Sequence, residues 1–267
     1  MTVLGRVDLL ATSQDEAKTD TTKVSYGYRK VTPDEKRRLV DQQFDAIAPR
    51  YDLADALLSF GLDSLWRKRA IRRLVLRKGD RVLDLCGGTA DLALLAARYV
   101  APEGSVTICD INKAMMKAGQ QKVNRSRHMK IISWTQGDAE NMGFPDNTFD
   151  AVTVGFGIRN FVHLERGLGE IFRVLRNGGK LMILEFSVPK TAVIKGLYES
   201  YSFRVMPLVG KLITGIAEPF RYLAESIRVF PTPDELKTTL ESLGFMHVMF
   251  QRLTNGIAVV YLGKKGQ

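Results

Sequence analysis

Several features are scarce in this 267-residue chain, and each scarcity excludes something. There are two cysteines, Cys86 and Cys109, each at the end of a predicted strand. They read as small buried residues in a reducing compartment, not as a disulfide. The three histidines, His128, His163 and His247, show no ligand spacing, so no metal site is expected. No uncharged apolar run approaches the ~18 residues of a membrane span. The N-terminal stretch carries Asp8, Asp15, Glu16 and Asp20 in place of the apolar core of a secretory signal. A cytoplasmic protein is expected.

Acid is the scarcer charge: 29 Asp and Glu stand against 39 Lys and Arg, a net charge of +10. The excess concentrates between Trp66 and Arg81, where Arg67, Lys68, Arg69, Arg72, Arg73, Arg77, Lys78 and Arg81 face one acid, Asp80. Trp66, Ala70, Ile71, Leu74 and Val75 interleave at helical spacing, which predicts an amphipathic helix with a basic face. Such a face is a solvated surface, or a contact for an anionic bilayer or for nucleic acid.

What is present is an alternating core. Strands are predicted near 81–85, 105–110, 130–135, 150–155 and 180–186, each followed by a helical segment, so the sheet is parallel with right-handed crossovers. Gly178-Gly179 stops a helix ahead of Leu181. At the far end Phe245 to Gln251 and Ile257 to Leu262 read as strands joined across Asn255-Gly256, a hairpin signal. Residues 1–30 read as a weakly ordered extension and 31–267 as one domain. Within it, 31–80 is a helical lid and 187–232, rich in Tyr, Phe, Met and Leu, a helical insertion covering the substrate.

The most informative segment runs from Val82 to Leu92: a strand ends at Asp84, passes Gly87-Gly88-Thr89-Ala90-Asp91 and opens a helix. Glycine lets backbone approach a ligand where a Cβ would clash, and the helix start presents free N–H groups. The next strand ends at Asp110, an acid suited to the two hydroxyls of a ribose. A dinucleotide fingerprint has three spaced glycines for a pyrophosphate. Here Asp84 and Asp91 flank the turn; they repel phosphate and suit the ammonium and sulfonium of S-adenosylmethionine. The expected fold is α/β, a Rossmann-like class I S-adenosylmethionine-dependent methyltransferase. Its mostly parallel seven-stranded sheet closes with an antiparallel C-terminal hairpin.

The chain resembles the UbiE/MenG quinone-ring C-methyltransferases from about residue 35 to 263. The resemblance rests on Arg50-Tyr51-Asp52, Ser59-Phe60-Gly61, Leu65-Trp66-Arg67, the glycine turn, Phe144 to Asp150, Gly155-Phe156-Gly157-Ile158-Arg159-Asn160, Glu185-Phe186-Ser187 and Tyr222 to Arg228. It implies cofactor contacts at Thr89, Asp110, Asp138 and Ala139, beside Gly87 of the turn. Many members have Asn at the positions of Asp138 and Asp55. Ala90 and Gly155, where ubiquinone-type members tend to carry Gly and Ser, resemble the menaquinone branch, as does Met206 to Leu212. The implied reaction is methylation of a polyprenyl quinol, demethylmenaquinol first, with a ubiquinone-pathway ring C-methylation as the alternative.

Arg159 lies just past the fourth strand, at the carboxyl edge where open sheets bind ligands, and is the expected catalytic group. Its guanidinium would hold a developing oxyanion; its alternative role is a structural salt bridge. Tyr201 and His163 are weaker acid–base candidates. The expected partners are the quinol and an anionic membrane surface met peripherally; no nucleic acid is expected, and a homodimer stays open. The rival readings are a nucleic-acid-binding module, a dehydrogenase, and a methyltransferase for a soluble sterol or arsenite.

Overall fold

The computed structural model describes residues 23–266. Strands β1 (Val24–Tyr26) and β2 (Arg29–Val31) form an antiparallel hairpin. Helices α1 (Pro33–Ile47), α2 (Tyr51–Leu58) and α3 (Leu62–Leu74) follow. The alternating core is β3 (Arg81–Leu85), α4 (Asp91–Val100), β4 (Ser105–Asp110), α5 (Lys113–Val123), β5 (Ile132–Gln136), β6 (Phe149–Gly155), α6 (Leu164–Val174) and β7 (Leu175–Phe186). Helices α7 (Ala192–Ser200), α8 (Met206–Thr214) and α9 (Glu218–Val229) build the insertion. Then α10 (Pro233–Ser242) leads to the closing pair β8 (Phe245–Leu253) and β9 (Ala258–Lys265).

The seven-stranded sheet has the order β5-β4-β3-β6-β7-β9-β8. The first five strands in that order are parallel, and β9 runs antiparallel to both β7 and β8. This is the expected class I methyltransferase architecture. The chain moves outward from β3 through β4 to β5, then returns to lay β6 on the other side of β3. The crevice at that reversal, beyond the carboxyl ends of β3 and β6, is where such sheets hold ligands.

Strand alternation sorts the core onto two faces. Val82, Val106, Ile108 and Ala151 pack with Ala93, Ala96, Ala97 and Val100 of α4 and with α3. Leu83, Leu85, Val152, Val154 and Ile183 pack instead with Leu168 and Ile171 of α6 and Leu236 and Leu240 of α10. Both faces are covered, which is why the central strands read as nearly continuous apolar runs.

Four local expectations are revised. Residues 24–31 are ordered: Tyr26 stacks on Tyr222 of α9 at 4.2 Å, and the Tyr28 N–H donates to Glu225 at 3.1 Å. The ordering is tertiary, so no periodicity announces it; residues 1–22 of the expected weak extension lie outside the described residues. The basic helix ends at Leu74, where Val75 takes a left-handed φ of 51°, so Arg77 and Lys78 sit in the loop before β3. Helix α6 stops at Val174, ahead of the glycines, and β7 bulges through Gly178 before pairing Lys180 with Ala151. The β8–β9 connection takes more than Asn-Gly, because Leu253 pairs with Ala258 and a short turn, Thr254–Gly256, fills the loop.

Candidate active site

Gly87, Thr89, Asp110, Asp138 and Ala139 all line one cleft of about 1130 Å³ at the sheet reversal. Gly87 is required first by packing: a Cβ there would lie 2.7 Å from Ile108 Cγ2 and 3.0 Å from the Asp84 carbonyl. The bare turn draws the backbone down onto β3 and β4. Gly88, at φ +45°, then aims its N–H at Asp110 Oδ2 at 2.8 Å.

Asp110 is held rigidly, since its Oδ1 also accepts the Asn112 N–H at 2.9 Å. Burial pushes its carboxyl above the usual range, and the Asn112 and Gly88 N–H groups pull against that. Asp138, just past β5, accepts the Glu140 N–H at 2.9 Å. The adjoining Ala139 is buried in the wall beside it.

Asp84 has a different task. It is fully buried, its Oδ2 accepts the Ala93 N–H at 2.9 Å, and Thr153 Oγ1 donates to its Oδ1 at 2.8 Å. It therefore fastens the first turn of α4 to β3, satisfying one of the free N–H groups of that helix start. Burial pushes its pKa up to about 7, against the bonds from Thr153 and Ala93.

The N-terminal helices close one side of this cleft with polar bonds. Asp52 of α2 accepts the Thr89 hydroxyl at 2.7 Å and pairs with Lys122 of α5 at 2.8 Å. Asn112 donates its side-chain amide to Asp41 and Asp45 of α1, each at 2.8 Å. Arg67, grouped by sequence with the basic face, is buried instead. It pairs with Asp55 at 2.6 Å and with Asp63, and it lies over the Phe156 ring. Sequence reading did not single out Asp52, Lys122, Asn112 or Arg67 as site residues. Asn112 alone carried a local signal, as the helix-capping residue after Asp110, accepting the Met115 N–H.

A second cavity of about 830 Å³ adjoins the first; Phe44 and Tyr51 belong to the walls of both. Its lining is mostly aromatic and apolar, with Phe186, Tyr198, Tyr201, Phe220, Tyr222 and Met206, and the polar groups of Gln43, Asp55, Ser59 and Arg159 among them. Phe186 stacks on Phe156 at 4.2 Å, and Trp66 meets the pair edge-on. Tyr222 donates to Asn160 at 3.0 Å, so the insertion is bonded to the segment after β6.

Arg159 lines this second cavity, apart from the five cleft residues. Its Nη1 pairs with the fully buried Glu185 at 3.0 Å and also donates to the Phe156 carbonyl. Burial opposes its charge most strongly, but Glu185, Tyr222 and Tyr51 together outweigh it and keep the guanidinium pKa above its ordinary value. The expected alternative, a structural salt bridge, is thus present. Nε remains buried without a partner, so the ion pair does not exhaust the donors. Of the acid–base candidates, Tyr201 lines the same cavity and donates to the Leu58 carbonyl at 2.8 Å. His163 lies at the start of α6 and lines neither cavity.

The cleft suits S-adenosylmethionine and not a dinucleotide. Six carboxylates line it (Asp41, Asp84, Asp91, Asp110, Asp138 and Glu140) against two cations, Arg37 and Arg67. Even with Asp84 partly protonated near neutral pH, that balance repels a pyrophosphate and favours an ammonium and a sulfonium. Asp110 and Asp138 stand in the wall with the glycine turn. Among the described residues no cluster of His, Cys, Asp and Glu could hold a metal ion, and both cysteines are free.

Fold and cleft together define a class I S-adenosylmethionine-dependent methyltransferase. The model of the ubiE/COQ5 methyltransferase family matches residues 29–265, and the chain belongs to that family. The ubiquinone/menaquinone biosynthesis C-methyltransferase UbiE of Photorhabdus laumondii is 42% identical over 240 residues, covering 90% of this chain and 96% of that protein. The protein of the same name from Azotobacter vinelandii is 42% identical over 251 residues, covering 94% and 99%. Among solved structures, a methyltransferase from Thermotoga maritima superposes with a TM-score of 0.59 at 18% identity, covering 84% of this chain and 99% of that one. Phosphoethanolamine N-methyltransferase 2 of Haemonchus contortus, in complex with S-adenosylmethionine, has a TM-score of 0.55 at 15% identity, covering 75% and 52%.

Proposed function

We propose that the protein methylates a ring carbon of a polyprenyl quinol, converting demethylmenaquinol to menaquinol at the inner face of a membrane it meets peripherally. The observation that carries this reading is the pair of adjoining cavities. An acidic cleft for the methyl donor shares Phe44 and Tyr51 with an aromatic chamber that has Arg159 in its wall. Relatives at 42% identity bear the name of a ubiquinone/menaquinone C-methyltransferase.

S-adenosylmethionine, when bound, offers a methyl group made electrophilic by its sulfonium. The protein must then place an electron-rich carbon in line with it, at about 3–3.5 Å. A quinol ring becomes electron-rich when one hydroxyl gives its proton to a water. Arg159 stabilises the resulting oxyanion: Glu185 fixes the guanidinium, and donors beyond Nη1 remain for the substrate. Once the methyl has added, the ring carbon sheds its hydrogen as a proton to restore aromaticity. The aromatic walls exclude water and stack on the flat ring. Helices α1 to α3 serve as the lid, through the bonds of Asp52, Asp41 and Asp45. Thr89 and Asp110 would hold the donor's methionine end and ribose; Asp138 and Ala139 would hold the adenine.

The naphthoquinone preference rests on Gly155 and Ala90. A Cβ at position 155 would lie 2.6 Å from Leu92 Cδ1, so a serine there requires Leu92 to move. Ala90 holds a φ of 72°, a conformation glycine would take without strain, so the alanine is a marked choice. The names of the relatives favour a benzoquinol as the second reading, since they cover both pathways. Mass spectrometry of quinones from cells lacking this protein separates the two. Accumulated demethylmenaquinone is expected; accumulation of a demethylated ubiquinone precursor alone would favour the second reading, and neither would overturn both.

A further inference from the structure

The site leaves an apolar surface unused. Val193 and Leu197 on α7, Leu208 and Leu212 on α8, and Leu53 and Leu57 on α2 are all exposed. Each pair is spaced four residues apart and so shares one helix face. Phe60, just past α2, and Leu212 are each 77% exposed. Scattered apolar residues on a surface need no account, but paired ones recurring along neighbouring helical segments do. Helix α7 runs through the π-helical turn Tyr201–Val205 straight into α8, and α8 packs against α2. Arg50, at the start of α2, donates to the Ile213 carbonyl of α8.

This surface borders the aromatic cavity. Leu58, Tyr198 and Tyr201 line that cavity, and the exposed Leu57 and Leu197 adjoin two of them in the chain. The Phe60 ring lies 5.7 Å from the Tyr201 ring. The exposed charges of the insertion around the rim are mostly positive. Between residues 187 and 217, Lys190, Lys195, Arg204 and Lys211 are exposed, and the sole acid, Glu199, lies 3.7 Å from Arg228.

We propose that this rim, formed by the ends of α2, α7 and α8, seats the protein on an anionic phospholipid bilayer with the aromatic cavity opening toward the acyl chains. The proposal rests on the polyprenyl quinol reading, because it lets the prenyl tail stay in lipid while the ring enters the cavity. Leucines reach below the headgroups and lysines meet the phosphates, as in interfacial helices. A second copy of the chain fits the rim poorly. A two-fold contact sets the same patch against itself, so Lys195, Arg204 and Lys211 would face their own kind.

The test replaces Leu197, Leu208 and Leu212 together with serine in the full chain. Binding of S-adenosylhomocysteine, whose cleft the change does not touch, checks that the variant is folded. Co-sedimentation with vesicles of phosphatidylglycerol and phosphatidylcholine should show at least about a tenfold loss of partitioning. The loss should persist at high salt, which weakens only the cationic share. Turnover of a short-chain, water-soluble quinol should be unchanged, and turnover of a long-chain quinol in vesicles should fall. Unchanged vesicle partitioning overturns the proposal. So does a wild-type dimer that the variant dissolves while vesicles bind neither protein, which assigns the rim to a second copy. The sedimentation assay contains no quinol, so it reads the rim even if no quinol is turned over, an outcome that would count against the substrate reading alone.

Discussion

Asp84 and Arg159 are both buried charges, and their partners decide their tasks. Asp84 is bonded only to neutral donors, and burial holds its pKa up at about 7 against an ordinary 3.8. A carboxyl with a raised folded pKa binds a proton in the native state when the unfolded chain has lost it, so stability falls as pH rises between the two values. Above about 7 the loss levels off. Asp84→Asn keeps an acceptor for the Ala93 N–H and removes this dependence. Denaturant unfolding should therefore show the wild type losing up to about 4 kcal/mol more than the variant from pH 4 to pH 7.5. Parallel pH curves for the two proteins would mean that Asp84 titrates normally. Arg159 has a carboxylate partner, and its role is tested by geometry instead. Arg159→Lys keeps the charge for Glu185 but loses the planar fork. Turnover should drop at least about tenfold while affinity for S-adenosylhomocysteine stays within twofold, the pattern of a transition-state contact. Unchanged turnover would leave Arg159 as the Glu185 ion pair alone.

Helix α3 shows how one element can serve two environments. Its inner face, Trp66, Arg67, Ala70, Ile71 and Leu74, is buried, and Trp66 donates to Thr254 at 2.9 Å. Its outer face presents Lys68, Arg69, Arg72 and Arg73 to solvent, with Arg73 donating to Gln251 at 2.8 Å. This face carries four exposed cations within six residues. If it meets anionic lipid, replacing Arg69, Arg72 and Arg73 with Gln should weaken vesicle binding by up to about 3 kcal/mol at low salt. The difference should shrink at high salt, unlike that of the apolar rim. Turnover of a water-soluble quinol should be unaffected, because none of the three lines a cavity. Equal loss with soluble and membrane substrates would make α3 a support of the fold instead.

At the scale of the whole molecule, the cleft couples distant parts of the chain. Residues of α1 and α2, of the turns after β3, β4 and β5, and of the segment after β6 all line it. A ligand that binds there stabilises the folded state by mass action, by about 2.7 kcal/mol at a hundredfold excess over Kd. S-adenosylhomocysteine should therefore raise the melting temperature by several degrees, and NAD should not, since six carboxylates oppose its pyrophosphate. A shift with NAD and none with S-adenosylhomocysteine would contradict the assignment of the cleft. No helix among the described residues is long and apolar enough to cross a membrane.

Much of this was legible in the sequence because it depends on local chemistry. Strand ends at Leu85 and Asp110, the glycine turn and the closing antiparallel pair follow from period, turn residues and β-propensity, and they appear where expected. Five of the expected site residues meet in one cleft for the same reason: in a parallel sheet, residues that follow strands are gathered at one edge. Other features were decided only by the tertiary structure. The hairpin at 24–31 exists through Tyr222 and Glu225, nearly two hundred residues away. Arg67 left the basic face because Asp55 and Asp63 wait beneath it. Arg159 and Glu185 met across adjacent strand ends, and the aromatic chamber assembled from α1, α2, the insertion and β7. Spacing along a chain reports which face a residue shares with its near neighbours. It carries no record of which distant side chain will neutralise a buried charge, and in this protein those long-range pairings shape the walls of the site.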